Sequence, residues 1–427
     1  MKRSKNLHIA LVALTSFATM SFTGCKDQPD EYKSTSGKPE VQYIRLPQSA
    51  DSIITKSYLQ KTICLVGKNL RSIHKILFND QQAVLNTSFI TDNTLLVDIP
   101  KNIPSAVTDK IYMINGAGDT TTYDFHVIVP PPVVSSMSCE YAVAGDEVTV
   151  TGDYFIQDPY KPLQITFNDG ELPVTEIKSI SKNSLTFIVP VGATSGRVYV
   201  ESVYGKSKSQ FVYKDTRNIL FDFDGSHGGL TAGHGWRPGR IRNNGIDGSY
   251  LYLGGANMLG KVGATWDEDD FAMNYWPEPS AGFPELSSIT SFKELLDTCD
   301  INDMALKFEC RVPASSPWSA SALQMIFTGN NNVTFQTANS QYYNADIPRG
   351  LWLPWQNSGS FNTGSHWTTV TIPLSAFNKT YEGQAAGKTI TKDMLTGFTF
   401  FLWSGGIEGT DCTPELDIDN VRVVPIK

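Results

Sequence analysis

Apolar and polar residues alternate in short runs along most of this chain, and Gly, Pro or Asn-Asp turns interrupt the runs. In TLLVDIP the residues Leu95, Val97 and Ile99 share one face; in SLTFIVP the residues Leu185, Phe187 and Val189 do the same. These stretches belong to a repeat. CLVGKNL, IHKILFND and NTLLVDIP recur in order as VTVTGDYF, LQITFNDG and NSLTFIVP. Phe78-Asn79-Asp80 returns 89 positions later as Phe167-Asn168-Asp169, and Pro100 returns 90 positions later as Pro190. The shared order and spacing predict two copies of one small antiparallel sandwich, over residues 41–130 and 131–214. Pro130 to Pro132 would form a stiff joint between them.

Past Lys214 the pattern reads as strands joined by long Gly, Pro and Asn loops. WTTVTIPLSAF places Thr368, Val370, Ile372 and Leu374 on one face, with Trp367 at the start of the strand. GFTFFLW has Phe398, Phe400 and Leu402 on one face and Phe401 and Trp403 on the other, which predicts a central strand covered on both sides. SFKELLD predicts a short helix with Ser291 as N-cap, Glu294 as its capping-box partner, and Leu295 and Leu296 turned inward. The terminal LDIDNVRVV poses a parity problem, since unbroken alternation puts Asp417 and Asp419 on the face of Val421 and Val423. Either a bulge near Asn420 resets the register, or the acids are buried and must be satisfied. The expected architecture is all-β: an elongated multidomain chain of two immunoglobulin-like sandwiches and a larger C-terminal jelly-roll-like sandwich, residues 215–427, with a short helix.

The first 24 residues stand apart from the fold. A basic start (Lys2, Arg3, Lys5), an apolar run from Leu7 to Phe17 and small residues before Cys25 have the layout of an export signal. SFTGC resembles a bacterial lipoprotein processing site, which makes Cys25 the expected lipidated first residue of the mature chain. The tract over residues 25–40 has almost nothing to bury and reads as a flexible tether. Its acids Asp27, Asp30 and Glu31 resemble the export signal of surface lipoproteins in the Bacteroides group. The expected location is therefore the outer membrane, held by a lipid anchor only and exposed at the cell surface.

Charge and cysteines narrow the function. Removing residues 1–24 takes three positive charges from a formal net charge of −8, leaving −11. An acidic chain with scattered lysines is a poor candidate for nucleic acid, whose binding wants a basic stripe. Cys64, Cys139, Cys299, Cys310 and Cys412 are odd in number and lack zinc spacing. Cys299 and Cys310 are the pair an oxidising compartment would join, while burial as small hydrophobes is the default. His227 and His234 lie seven apart in a Gly-rich loop and form no metal motif.

All eight tryptophans fall in residues 215–427. Trp is rarely fully buried, so eight in one domain imply exposed aromatic area, which marks a binding surface. Trp236 in GHGWRPGR, Trp266 in TWDEDD, Trp276 in NYWPEP, Trp318 in SSPWSA, and Trp352 and Trp355 in RGLWLPWQNSG all sit among Gly, Pro or acidic neighbours. Such neighbours fix the loop path and lower the ordering entropy of a contact. Sugar rings offer a weakly apolar C–H face and a rim of hydroxyls, which an aromatic plane and nearby Asn, Asp, Gln or Arg groups would match.

A lipoprotein cysteine, two modules that resemble IPT/TIG immunoglobulin-like domains over residues 41–214, and a Trp-rich terminal sandwich are together similar to the surface glycan-binding lipoproteins of Bacteroides polysaccharide-utilisation systems. FDFDG (Phe221 to Gly225), GHGW, GIDGSYLYLGG (Gly245 to Gly255) and LDIDNVRVV carry the local likeness, closest to the xyloglucan-binding kind. The resemblance implies a non-catalytic, monomeric protein that captures a plant-type β-glucan or hemicellulose for an outer-membrane glycan transporter. It also implies a flat platform made by an adjacent Tyr-Trp pair, here Tyr275 and Trp276, joined by Trp236. Asn274 and Glu278 are then candidates for hydroxyl contacts at the edge, with Trp266 and Trp355 as further rings. The two modules, which hold no Trp, read as spacers, with a protein-docking role as the lesser possibility.

The acids support a competing enzyme reading. Glu415, Asp417 and Asp419 would share one face of a strand, and paired carboxylates are what glycoside hydrolysis needs. Asp stands where the sandwich glycosidases have Glu, and the motif closes on the last strand, which weighs against it. A protein-docking structural lipoprotein is the other alternative. Asp222 in FDFDG and Asp417 are the candidate ligands of a structural Ca²⁺, with turn capping as the commoner fate of such aspartates.

Overall fold

The structure, a computed structural model, describes residues 32–158, 161–261, 268–329, 347–403 and 406–426. Cys25 and Trp266 lie outside them. The chain divides into two compact units, Met1–Val129 and Pro130–Lys427, and the break falls at the first proline of the Pro130 to Pro132 run.

The first unit holds a three-stranded sheet (Glu40–Arg45, Thr62–Lys68, Thr94–Asp98) and a four-stranded sheet (Gln81–Gln82, Ile73–Phe78, Lys110–Asn115, Thr120–Asp124). Leu95, Val97 and Ile99 are buried, as their alternation requires. Residues 133–208 of the second unit build the same kind of module from two four-stranded sheets, and there Leu185, Phe187 and Val189 are buried. The repeated Phe-Asn-Asp has a physical reason. Asn79 and Asn168 both take left-handed backbone angles, φ 54° and 52°, which Asn tolerates better than most residues. Each side-chain oxygen then accepts from a distant turn, Asn79 Oδ1 from the Thr108 and Asp109 N–H groups and Asn168 Oδ1 from that of Thr194.

The C-terminal sandwich packs two sheets around one apolar core. One sheet runs in the order Arg240–Asn243, Ser249–Gly254, Glu415–Pro425, Met304–Arg311, Thr368–Pro373, with Ile219–Phe221 also paired to Glu415–Pro425. The other runs Ala272–Tyr275, Gly397–Trp403, Ala322–Thr328, Gly350–Trp352. Gly397–Trp403 is central and buried throughout, as its two apolar faces predict. The helix Thr290–Thr298 buries Phe292, Leu295 and Leu296. It starts one residue before the expected cap, so Ser291 lies inside the first turn and no side chain caps the end. Cys310 is buried in the core, and neither it nor Cys299 is in a disulfide.

Both answers to the parity problem of the last strand are realised. Asn420 takes φ 49°, and the pairing with Met304–Arg311 shifts register between Lys307 and Glu309. This bulge lets Leu416 and Ile418 before it, and Val421 and Val423 after it, all enter the core. The acids are buried as well, on the opposite face. Asp417 accepts from Arg311 Nε at 2.8 Å, whereas Asp419 Oδ1 accepts from the Asn420 N–H.

That opposite face is where the second module docks, so residues 131–214 are packed on the sandwich and not merely strung before it. Arg422, fully buried, reaches Glu309 at 2.7 Å and Glu140 of the module at 2.8 Å; Lys307 Nζ lies 2.5 Å from Glu140. Burial works against the Arg422 charge, but Glu309 and Glu140 more than offset it and hold the guanidinium above its usual pKa. The Thr369 N–H donates to Ser138 O, and the Glu140 N–H to Thr369 Oγ1. Ile246 and Trp367 of the sandwich pack on the module's own core.

Candidate functional site

The two faces of the Ala272–Tyr275 sheet differ in chemistry. Met273, Tyr275, Phe398, Phe400, Leu402, Leu323, Met325 and Phe327 point into the core. Period-two alternation puts Ala272, Asn274, Thr399, Phe401, Trp403, Gln324, Ile326 and Thr328 on the other side. On this second face Asn274 Nδ2 donates to Thr399 Oγ1 at 3.3 Å, and Arg349 Nη1 to Gln324 Oε1 at 2.8 Å. The rings of Phe401 and Trp403 stack with centroids 5.8 Å apart, and Tyr381 lies 5.9 Å from Trp403. The Arg349 guanidinium is 5.9 Å from the Tyr381 ring centre. Amides, a guanidinium and aromatic planes thus share one face, although each is buried or nearly so.

Beside this face runs the loop Gly233–Pro238. It docks on the open edge of Ala272–Tyr275 through His234 N–H to Asn274 O (2.8 Å), Asn274 N–H to Arg237 O (2.6 Å) and Trp276 N–H to His234 O (3.0 Å). A fourth bond, Gly233 N–H to Pro238 O, closes the loop. Gly235 has φ 124°, and a Cβ there would stand 2.7 Å from Trp276 Cε3. The absence of a side chain lets the indole of Trp276 lie directly under the loop backbone. Trp236 at the loop tip is 49% exposed and meets Trp276 edge-on, with centroids 6.1 Å apart. It is the one exposed tryptophan among the described residues. His234 stacks on Phe283 at 3.5 Å, and its Nε2 is 3.1 Å from Glu278 Oε2 on the exposed side of the loop.

Strand parity therefore splits the expected Tyr-Trp platform. Tyr275 points into the core, fully buried, with its ring edge-on to Phe221 and its hydroxyl donating to Pro284 O at 2.6 Å. It cannot offer a face to a sugar, and burial pushes its hydroxyl up to about 12. Trp276 faces the other way and is 3% exposed, a backing ring under the Gly233–Pro238 loop. Asn274 is also fully buried, which corrects its expected place at an edge. Trp355 is buried in the core and donates its Nε1–H to Ser321 O, so it is no platform ring either. Trp318 is likewise a core residue. Trp236 and Glu278 lie where a ligand can reach them. Gln324, Arg349 and Tyr381 went unnoticed in the sequence, although the alternate Gln324 and Thr328 of ALQMIFT carry a faint signal of a polar face.

The calcium expectation meets occupied carboxylates. Asp222 Oδ1 accepts from the Gly225 N–H, and its Oδ2 from those of His227 and Gly229. Asp417 is held by Arg311. No group of three metal-ligating side chains occurs among the described residues. The triad proposed for hydrolysis is not assembled as a cleft: Asp419 is sealed, and burial with Asp247 nearby pushes its carboxyl up to about 9.

Comparisons with known proteins agree with this architecture. A family model described as the xyloglucan-binding domain of surface glycan-binding protein B matches residues 213–425, and the IPT/TIG domain model matches residues 132–216. The crystal structure of the surface glycan-binding protein PbSGBP-B from Prevotella bryantii is 38% identical, covers 92% of this chain and 100% of its own, and superposes with a TM-score of 0.78. An IPT/TIG domain-containing protein of Bacteroides ovatus is 26% identical over 175 residues, 38% of this chain and 34% of that relative. This chain thus spans about a third of that relative's length. A surface glycan-binding protein B from a complex xyloglucan utilization locus in Bacteroides uniformis is 16% identical with a TM-score of 0.40, covering 91% and 100% of the two chains. That similarity is too low to bear on ligand or fold.

Proposed function

This chain belongs to the surface glycan-binding protein B family, a family of non-catalytic glycan binders, and from that premise we propose that it captures a plant-type β-glucan or hemicellulose, xyloglucan first among them, at the cell surface. The observation that carries this reading is Trp236, an exposed indole held edge-on by a buried Trp276 on a loop fixed by four backbone hydrogen bonds. A ring fixed in advance loses little entropy on contact. By analogy with base stacking, one such ring contributes about 1–3 kcal/mol. Glu278 and His234 stand on the same loop edge as acceptor and donor for sugar hydroxyls. Binding near the millimolar range would follow, suited to reversible capture of a polymer.

The anchor and the handover complete the proposal. SFTGC supports lipidation at Cys25 and an outer-membrane location, and a non-catalytic capture protein needs a transporter in that membrane to pass its glycan to. The test is native gel retardation against xyloglucan, mixed-linkage β-glucan, laminarin and mannan, run beside a reducing-sugar assay. Retardation without sugar release is expected, and Trp236→Ala should weaken it at least tenfold with the melting temperature unchanged. Retardation by none of the four glycans overturns the reading, and undiminished retardation of Trp236→Ala removes that ring from it.

A further inference from the structure

A cavity of about 470 Å³ opens where the second module meets the C-terminal sandwich. It lies within the range of about 300–1,000 Å³ typical of small-ligand clefts. One wall comes from the module, with Asp146 and Glu147 at its rim; the other carries Phe361, His366 and Trp367 of the sandwich. Trp367 is held by the Arg311 guanidinium at 4.8 Å and the Tyr250 ring at 5.8 Å. Phe361 is fixed by its backbone pairing with Trp318. The walls are clamped together. Thr368 Oγ1 and the Thr369 N–H both donate to Ser138 O, and the buried Glu140–Arg422–Glu309 bridge lies across the same junction.

We propose that this cleft is a second saccharide-binding site, separate from the Trp236 loop and built from both domains. The ring planes of Trp367 and Phe361 would meet the C–H face of a sugar, and the carboxylates and imidazole its hydroxyls. Two carboxylates at the rim disfavour an anionic ligand, so a neutral glycan fits best. The clamp preorganises the walls, which lowers the ordering cost of binding. A second weak site on one chain raises the avidity for a long polysaccharide above that for a short oligosaccharide.

The proposal rests on the glycan-binding reading, and its test separates the two. The full mature protein is labelled with 5-fluorotryptophan, and the Trp236 and Trp367 ¹⁹F signals are assigned with single Trp→Phe variants. Each is then titrated with a xyloglucan oligosaccharide and with cellotetraose. The cleft predicts that the Trp367 signal moves in the wild type and in Trp236→Ala alike. Glu147→Gln and His366→Ala, both at exposed positions, should each weaken that response, the first about tenfold, the worth of one hydrogen bond to a charged group. A shift at Trp236 with none at Trp367 overturns the cleft and leaves the glycan reading intact. A Trp367 shift that vanishes in Trp236→Ala also overturns it as a separate site. Silence at both rings overturns the cleft and removes xyloglucan from the glycan reading, which the four-glycan retardation test then decides.

Discussion

Glu140→Ala tests whether the second module is part of the binding domain or a bead on a string. Glu140 is 2% exposed, with one carboxylate oxygen 2.5 Å from Lys307 Nζ and the other 2.8 Å from Arg422 Nη2. Removing it leaves Arg422 with Glu309 alone and leaves Lys307, itself buried, without its carboxylate. Breaking a buried pair from one side costs about 3–5 kcal/mol, because the surviving charge stays desolvated. At roughly 2–4 °C per kcal/mol for a domain of this size, the melting temperature should fall by about 10 °C. The assay is thermal unfolding of the mature chain followed by tryptophan fluorescence. Every tryptophan lies in residues 215–427, so the signal reports the sandwich and not the module that carries the substitution. Glu140→Gln should lose nearly as much, since the penalty is an unpaired charge rather than lost volume. Added salt should change little, because the pair is shielded from solvent. Lys293→Ala, which removes an exposed i,i+4 pair with Asp297, serves as the control and should stay within about 0.5 kcal/mol of the wild type. A tryptophan transition unmoved by Glu140→Ala would refute the coupling.

Gly235→Ala forces a Cβ against the Trp276 ring at φ 124°, so it should displace the loop and cut glycan retardation at least as far as Trp236→Ala, with a loss of about 1–3 kcal/mol in urea unfolding. Asp419 is protonated in the fold up to about pH 9 but ionises at its ordinary value when unfolded. The folded state therefore binds the extra proton, and this group's contribution to stability falls by about 1.4 kcal/mol per pH unit as pH rises between those two values. Asp419→Asn should flatten that slope, with its advantage growing from pH 4 to pH 8 in unfolding curves; a constant difference would refute the assignment. A chelator or added Ca²⁺ should shift the melting temperature by less than about 1 °C, given that Asp222 and Asp417 already hold backbone N–H groups and Arg311. A larger shift would show a cation that these contacts do not anticipate.

Local pattern made much of this fold legible. Short alternating strands, the Phe-Asn-Asp repeat and the proline run fix two similar sandwiches, because each needs only neighbours in sequence to express it. The bulge at Asn420 was legible as one of two options, since period-two alternation cannot place Leu416, Ile418, Val421 and Val423 on one face without it. The Tyr275-Trp276 pair shows the limit. Parity alone says the two rings point to opposite sides, but which side is core depends on Phe398 and Phe400 more than 120 residues later.

The sequence by itself determined the all-β class, the repeat, the expected lipid anchor and the concentration of tryptophan in one domain, all of which are local or compositional properties. Only the tertiary structure decided which tryptophan reaches solvent. Burial is set by what long-range pairing lays over a ring, and among the described residues that makes Trp355 and Tyr275 core residues, Trp276 a support and Trp236 the exposed plane. It also decided that the second module is fused to the sandwich, through an Arg422–Glu140 contact between residues 282 positions apart. No periodicity can reveal such a pair, because a buried charge is tolerated only when folding delivers its partner.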